Sequence, residues 1–160
     1  MTVAIIMGSD SDWGVMKAAV DTLKNFGVDV ELTVASAHRT PDKVHDFVKN
    51  SSAQIFIAAA GMAAHLAGVV ASFTTKPVIG VPINSEPFKG LDALLSTVQM
   101  PGGVPVATMA VNGAKNAALF AVEILALKDD TLAEKLSAYR KQLAAEVELK
   151  DQRLKEAFNS

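Results

Sequence analysis

The chain has 160 residues, half of them hydrophobic, with a formal net charge of −2 and no cysteine. That length fits one domain with a substantial core. The missing cysteines exclude disulfides, thiolate zinc sites and a cysteine nucleophile, and the lack of a basic face argues against nucleic acid as a partner.

The opening residues, "MTVAIIMGSDSD", have neither the basic start nor the small-residue cleavage site of a signal peptide, and no apolar run is long enough to span a bilayer. The expectation is a soluble cytoplasmic protein. Val3–Met7 is a short apolar, β-branched run ended by Gly8, as in a buried strand. Trp13 to Phe26 carries a helical stripe at Met16, Ala19, Val20 and Leu23, with Gly27 as its stop. Val28–Ala35 alternates, with Val28, Val30, Leu32 and Val34 against a wetter face of Asp29, Glu31 and Thr33. Pro41 suits the first turn of a helix whose core stripe is Val44, Phe47 and Val48. Ile55–Ala59 reads as a third strand and Ala63–Phe73 as a third helix. Val78–Val81 is a fourth strand, and Leu91–Val98 a fourth helix. Val104–Met109 is a fifth strand and Ala114–Leu127 a fifth helix. Thr131 to Phe158 is a last helix with Leu132, Leu136, Tyr139, Leu143 and Val147 along one side.

Five strand–helix repeats predict a three-layer α/β fold with a parallel sheet and helices on both faces. Five strands favour the flavodoxin-like order 2-1-3-4-5. Residues 1–160 then form a single domain. The last helix, about 40 Å long at the standard rise, exceeds what such a sheet covers, so residues 131–158 are expected to pack on a neighbouring subunit.

Ligands of open α/β sheets bind beyond the carboxyl ends of the strands. There the chain places "GSDSDW", "SAHRTP" and "AAGMAAHLAG" after its first three strands. Ser9 and Ser11 can donate to phosphate at a helix start. Asp10 or Asp12 either caps that helix or accepts from ribose hydroxyls. Arg39, the only arginine before Arg140, offers fork geometry suited to phosphate. His38 beside it suits proton transfer near neutral pH. His65 stands among small apolar residues, where a structural role competes with a functional one, and His45 lies off its helix's apolar stripe and is expected to be exposed. Two histidines without a carboxylate at ligand spacing do not make a metal site. The near absence of bulk in residues 58–68 fits either a dry pocket or tight helix–sheet packing.

Together "MGSDSDW", "SAHRTP", "AAHLAG", "GVP" and "VQMPGGVPVAT" resemble the N5-carboxyaminoimidazole ribonucleotide mutase family of purine biosynthesis, class I PurE, over residues 2 to about 127. The resemblance implies a flavodoxin-like homo-octamer with no cofactor and no metal. It implies a ribonucleotide substrate whose carboxylate moves from N5 to ring carbon C4 through loss and recapture of CO2. By the same resemblance His38 is the general acid and base. Ser9, Asp12 and Arg39 hold ribose and phosphate, and Gly8, Ser11 and Ser36 line the same loops. Gly61 faces the imidazole, and His65 lies behind His38 or beside the carboxylate. Met62 and Ala67 stand where the family usually has Gly and Pro, and "VNGAKN" is shorter than the usual loop. His65-Leu66 favours class I over the class II carboxylases, which use free CO2. A flavin electron carrier and a phosphoacceptor domain share the fold. The latter needs an aspartate after strand three, where this chain has Ala60-Gly61.

Overall fold

The computed structural model describes residues 1–159. Its strands are β1 (Thr2–Met7), β2 (Asp29–Val34), β3 (Ile55–Gly61), β4 (Val78–Ile83) and β5 (Ala107–Thr108). All pairs are parallel and the order is β2-β1-β3-β4-β5, as the sequence predicts. The helices are α1 (Trp13–Phe26), α2 (Pro41–Asn50), α3 (Leu66–Ser72), α4 (Leu91–Val98), α5 (Ala114–Ala126) and α6 (Asp130–Phe158). The chain forms two compact units, Met1–Ala121 and the segment from Val122 onward. No described helix is long and apolar enough to cross a membrane.

β1, β3 and β4 are continuous apolar runs because both faces of each are covered. Ala4, Ile6, Phe56 and Ala58 meet Val44 and Val48 of α2 and Leu66 and Val70 of α3 in one buried cluster. Strand alternation turns Val3 and Ile5 to the other face, where right-handed crossover puts α1. α1 buries Met16, Ala19, Val20 and Leu23 and ends at Gly27, whose φ of 79° is the left-handed stop that glycine serves best. Gly80 of β4 is required by close approach. A Cβ there would stand 2.4 Å from Thr97 Cγ2 of α4.

Register does the positioning. Met7 pairs with both Val34 and Ala59, and Gly61 pairs with Ile83. β1 and β2 therefore finish level with each other, β3 and β4 finish level two residues further on, and the four following loops rise from one edge of the sheet.

Three expectations, on β2, β5 and α3, need correction. Of the residues that the alternation marks as apolar, Val28 is buried and Val30 half-buried, but the two further along β2 are exposed. Leu32 is 46% and Val34 39% exposed, because β2 is the sheet's edge and only β1 flanks it. β5 pairs over two residues rather than six, since Gly102-Gly103 and Pro105 occupy its approach and proline has no N–H for the ladder. α3 starts three residues later than its apolar run implies, because Met62 turns the chain through the left-handed region at φ 55°. α6 runs 29 residues. Its predicted stripe is buried at Leu132 and half-buried at Leu136 and Tyr139, and Leu143 and Val147 are exposed.

Candidate active site

β1 delivers Gly8 to the sheet edge, where its N–H donates to Ala59 O at 2.9 Å. A single 3-10 turn, Asp10–Asp12, then runs into α1. Ser9 caps it. Its hydroxyl accepts from Ser11 N–H at 3.3 Å and from the Ser11 hydroxyl at 2.8 Å, while its own N–H donates to Asp12 Oδ2 at 3.1 Å. Asp12 is thus a helix-start acceptor, and it also lines the cleft described below. It is only 6% exposed, and burial pushes its carboxyl above the ordinary carboxylate range. The Ser9 N–H and the Ser11 hydroxyl oppose that shift, and neighbouring Asp10 adds to it.

After β2 the chain turns tightly. Thr40 N–H donates to Ser36 O at 2.9 Å, and Ser36 N–H to Thr40 Oγ1 at 2.9 Å. Arg39 N–H donates to Ser36 Oγ at 3.2 Å, and Pro41 opens α2. This stitching fixes the backbone that carries His38 and Arg39. Arg39 Nη2 crosses to donate to Gly8 O at 3.1 Å, which joins the first two loops. A carbonyl uses one donor of the five in a guanidinium, so most of its fork stays free for an anion.

The third loop brings His65. His38 Nε2 and His65 Nδ1 lie 2.9 Å apart, with the rings edge to face. A single hydrogen lies between those nitrogens, so one ring donates and the other accepts. The late start of α3 makes this contact available, because His65 stands just before the helix.

These loops enclose a cleft of about 660 Å³. Gly8, Ser9, Ser11, Asp12, Ser36, His38, Arg39, Gly61 and His65 all line it, whereas Asp10, the other carboxylate the sequence offers for a ribose, is exposed and does not. His45 does not. It is exposed on α2, beside Asp46 Oδ1 at 3.1 Å and edge-on to Phe73. Sequence reasoning missed Asn84 and Ser85, which enter the cleft from the loop after β4. Ser85 Oγ accepts from Met62 N–H at 3.2 Å, and Asn84 N–H donates to Asn112 Oδ1 at 2.9 Å. The available signal was topological: in this strand order β4 neighbours β3, so their loops must meet.

The site combines a guanidinium, a hydroxyl-rich helix start, a buried carboxylate and a paired imidazole, around a wall of alanine and glycine. Such a site can hold a phosphorylated, hydroxylated ligand at one end and move a proton at the other.

A family model described as AIR carboxylase matches residues 2–146. The N5-carboxyaminoimidazole ribonucleotide mutase of Methanocaldococcus jannaschii is 56% identical over 98% of this chain and 99% of its own. The enzyme of that name from Thermotoga maritima is 52% identical over 96% of this chain and 92% of its own. The solved structure of Treponema denticola PurE superposes with a TM-score of 0.87 at 32% identity, over 96% of this chain and 98% of that one.

Proposed function

The chain belongs to the AIR carboxylase family, and from that premise we propose how its cleft carries out the reaction named for its relatives, conversion of N5-carboxyaminoimidazole ribonucleotide to 4-carboxy-5-aminoimidazole ribonucleotide. The observation that supports this most is the Arg39–Gly8 bond, since it ties the serine-rich loop after β1 to the loop that carries His38 and Arg39, around one cleft.

Arg39, with Ser9 and Ser11, holds the phosphate, and Ser36 and Gly8 shape that end. Asp12 accepts from a ribose hydroxyl. Gly61 lets the flat imidazole lie against the backbone. Remote contacts thereby fix the ring before any bond changes, so the second step is effectively intramolecular.

The carbamate C–N bond then breaks. Its electron pair stays on nitrogen, which takes a proton from the His38 imidazolium. The freed CO2 stays beside the enamine-like ring. C4 attacks its carbon, a C–C bond forms, and the C4 proton returns to neutral His38. One proton leaves and one comes back, so the histidine ends as it began. His65 engages Nε2 of His38, which leaves Nδ1 as the nitrogen offered to the nucleotide. The small apolar wall keeps water from the CO2.

Asp12→Asn separates binding from stability. Because burial raises the Asp12 pKa, the folded chain holds that proton more tightly than the unfolded chain does. The charged form therefore costs stability, and the cost grows as pH rises from the ordinary carboxylate value through the raised one. Asparagine can still accept Ser9 N–H. At neutral pH the variant should melt no lower than the parent, while KM rises roughly 10–100-fold for a lost charge-assisted bond of about 1.5–3 kcal/mol. Thermal melts beside a substrate titration check this. A lowered Tm with unchanged KM would make Asp12 structural.

This reading also carries a cytoplasmic homo-octamer, with α6 against a neighbouring copy, and light scattering on the purified protein checks the assembly. The reaction itself is tested by supplying each nucleotide separately. Conversion of the N5-carboxylated nucleotide without bicarbonate or ATP is expected. Turnover only of unsubstituted aminoimidazole ribonucleotide with bicarbonate would mark a carboxylase instead.

A further inference from the structure

Among the described residues that line the cleft, one bulky apolar side chain is left unburied. Leu66 and Ile83 are 2% and 7% exposed, whereas Met62 is 61% exposed. Its backbone stands at φ 55°, a region where a side chain is crowded and glycine is not. That backbone is pinned on both sides. Met62 N–H donates to Ser85 Oγ at 3.2 Å, and Met62 O accepts from Ala64 N–H at 2.9 Å. The result is a fixed pivot bearing an unbranched thioether with three rotatable bonds. Core packing does not account for it, since a side chain this exposed buries little surface. Backbone strain of this kind collects where a site needs the residue that bears it.

We propose that Met62 is a specificity-determining residue of the mutase cleft: its thioether folds over the bound nucleotide and forms an apolar cover that keeps water from the CO2 beside C4. The inference rests on the mutase reading above. CO2 has no net dipole, and its competing fates are hydration and escape, both of which need a path to solvent. A thioether blocks that path without offering a proton of its own. Ser85 contributes by holding the pivot, and His38 keeps the proton chemistry. The cover acts after the C–N bond has broken, so it sets how turnovers end more than how they begin.

The test is the product ratio of Met62→Gly on the N5-carboxylated nucleotide. Glycine accepts φ 55° freely, so the variant should fold and melt no lower than the parent. The fraction of turnovers ending as free aminoimidazole ribonucleotide and CO2, above the enzyme-free background, should rise several-fold over the parent. Met62→Leu, which restores apolar bulk, should bring the ratio back. A general loss of activity does not move this ratio. A Met62→Gly enzyme that partitions like the parent overturns the proposal while leaving the mutase reading intact. A parent enzyme that fails to consume the nucleotide overturns both.

Discussion

His38→Asn is expected to lose roughly 10²–10⁴ in kcat, the usual worth of a positioned acid–base group, while still folding and still binding nucleotide. The reaction asks one group to give a proton to the departing nitrogen and to take one back from C4. In the cleft His38 stands on a turn held by Ser36 and Thr40, so its ring is positioned by backbone and by its edge-to-face contact with His65. Asparagine keeps the size and some hydrogen bonding, and removes the proton carrier. Circular dichroism and melting should therefore match the parent, and a substrate titration should show affinity within a few-fold. The Nε2 contact to His65 disappears with the ring, but neither histidine holds the fold together. A His38→Asn enzyme with near-normal turnover would remove His38 from the chemistry and transfer suspicion to its partner His65.

Arg39→Ala should act on binding instead. Losing a charge-assisted contact to phosphate costs about 1.5–3 kcal/mol, which raises KM roughly 10–100-fold. The guanidinium is already turned to the first loop by Gly8 O at 3.1 Å, so little ordering is needed when the ligand arrives. Arg39→Lys keeps the charge and loses the fork, and should fall between the two. Because the contact is ionic and partly open to solvent, the parent's KM should rise with ionic strength, and the Arg39→Ala enzyme's should rise less. Unchanged affinity in Arg39→Ala would move the phosphate elsewhere in the cleft.

The sheet was legible in the sequence for a physical reason. Strands covered on both faces must be apolar throughout, so β1, β3 and β4 stand out as uninterrupted runs, and each following loop is marked by its polar residues. The convergence of Ser9, Asp12, His38 and Arg39 then follows from strand order alone. What escaped depended on neighbours that a linear pattern does not contain. Leu32 and Val34 look like core residues, and edge position exposes them. The His38–His65 contact spans 27 positions and depends on α3 beginning at Leu66, which a left-handed Met62 imposes against the helical look of "AAHLAGVV". Asn84 and Ser85 sit in "NSEPFKG", a stretch that reads as an ordinary turn. Only the level ending of β3 and β4, Gly61 beside Ile83, brings them into the cleft.

The most direct measurement follows the carboxylate itself. The N5-carboxylated nucleotide, labelled with ¹³C in its carboxylate, is turned over in a large excess of unlabelled bicarbonate, and the C4 carboxylate of the product is analysed by mass spectrometry. A cleft that holds CO2 against the ring from cleavage to recapture delivers product with the label essentially intact. Product whose carboxylate has equilibrated with the unlabelled pool would mean that CO2 leaves before C4 attacks, and would contradict the account.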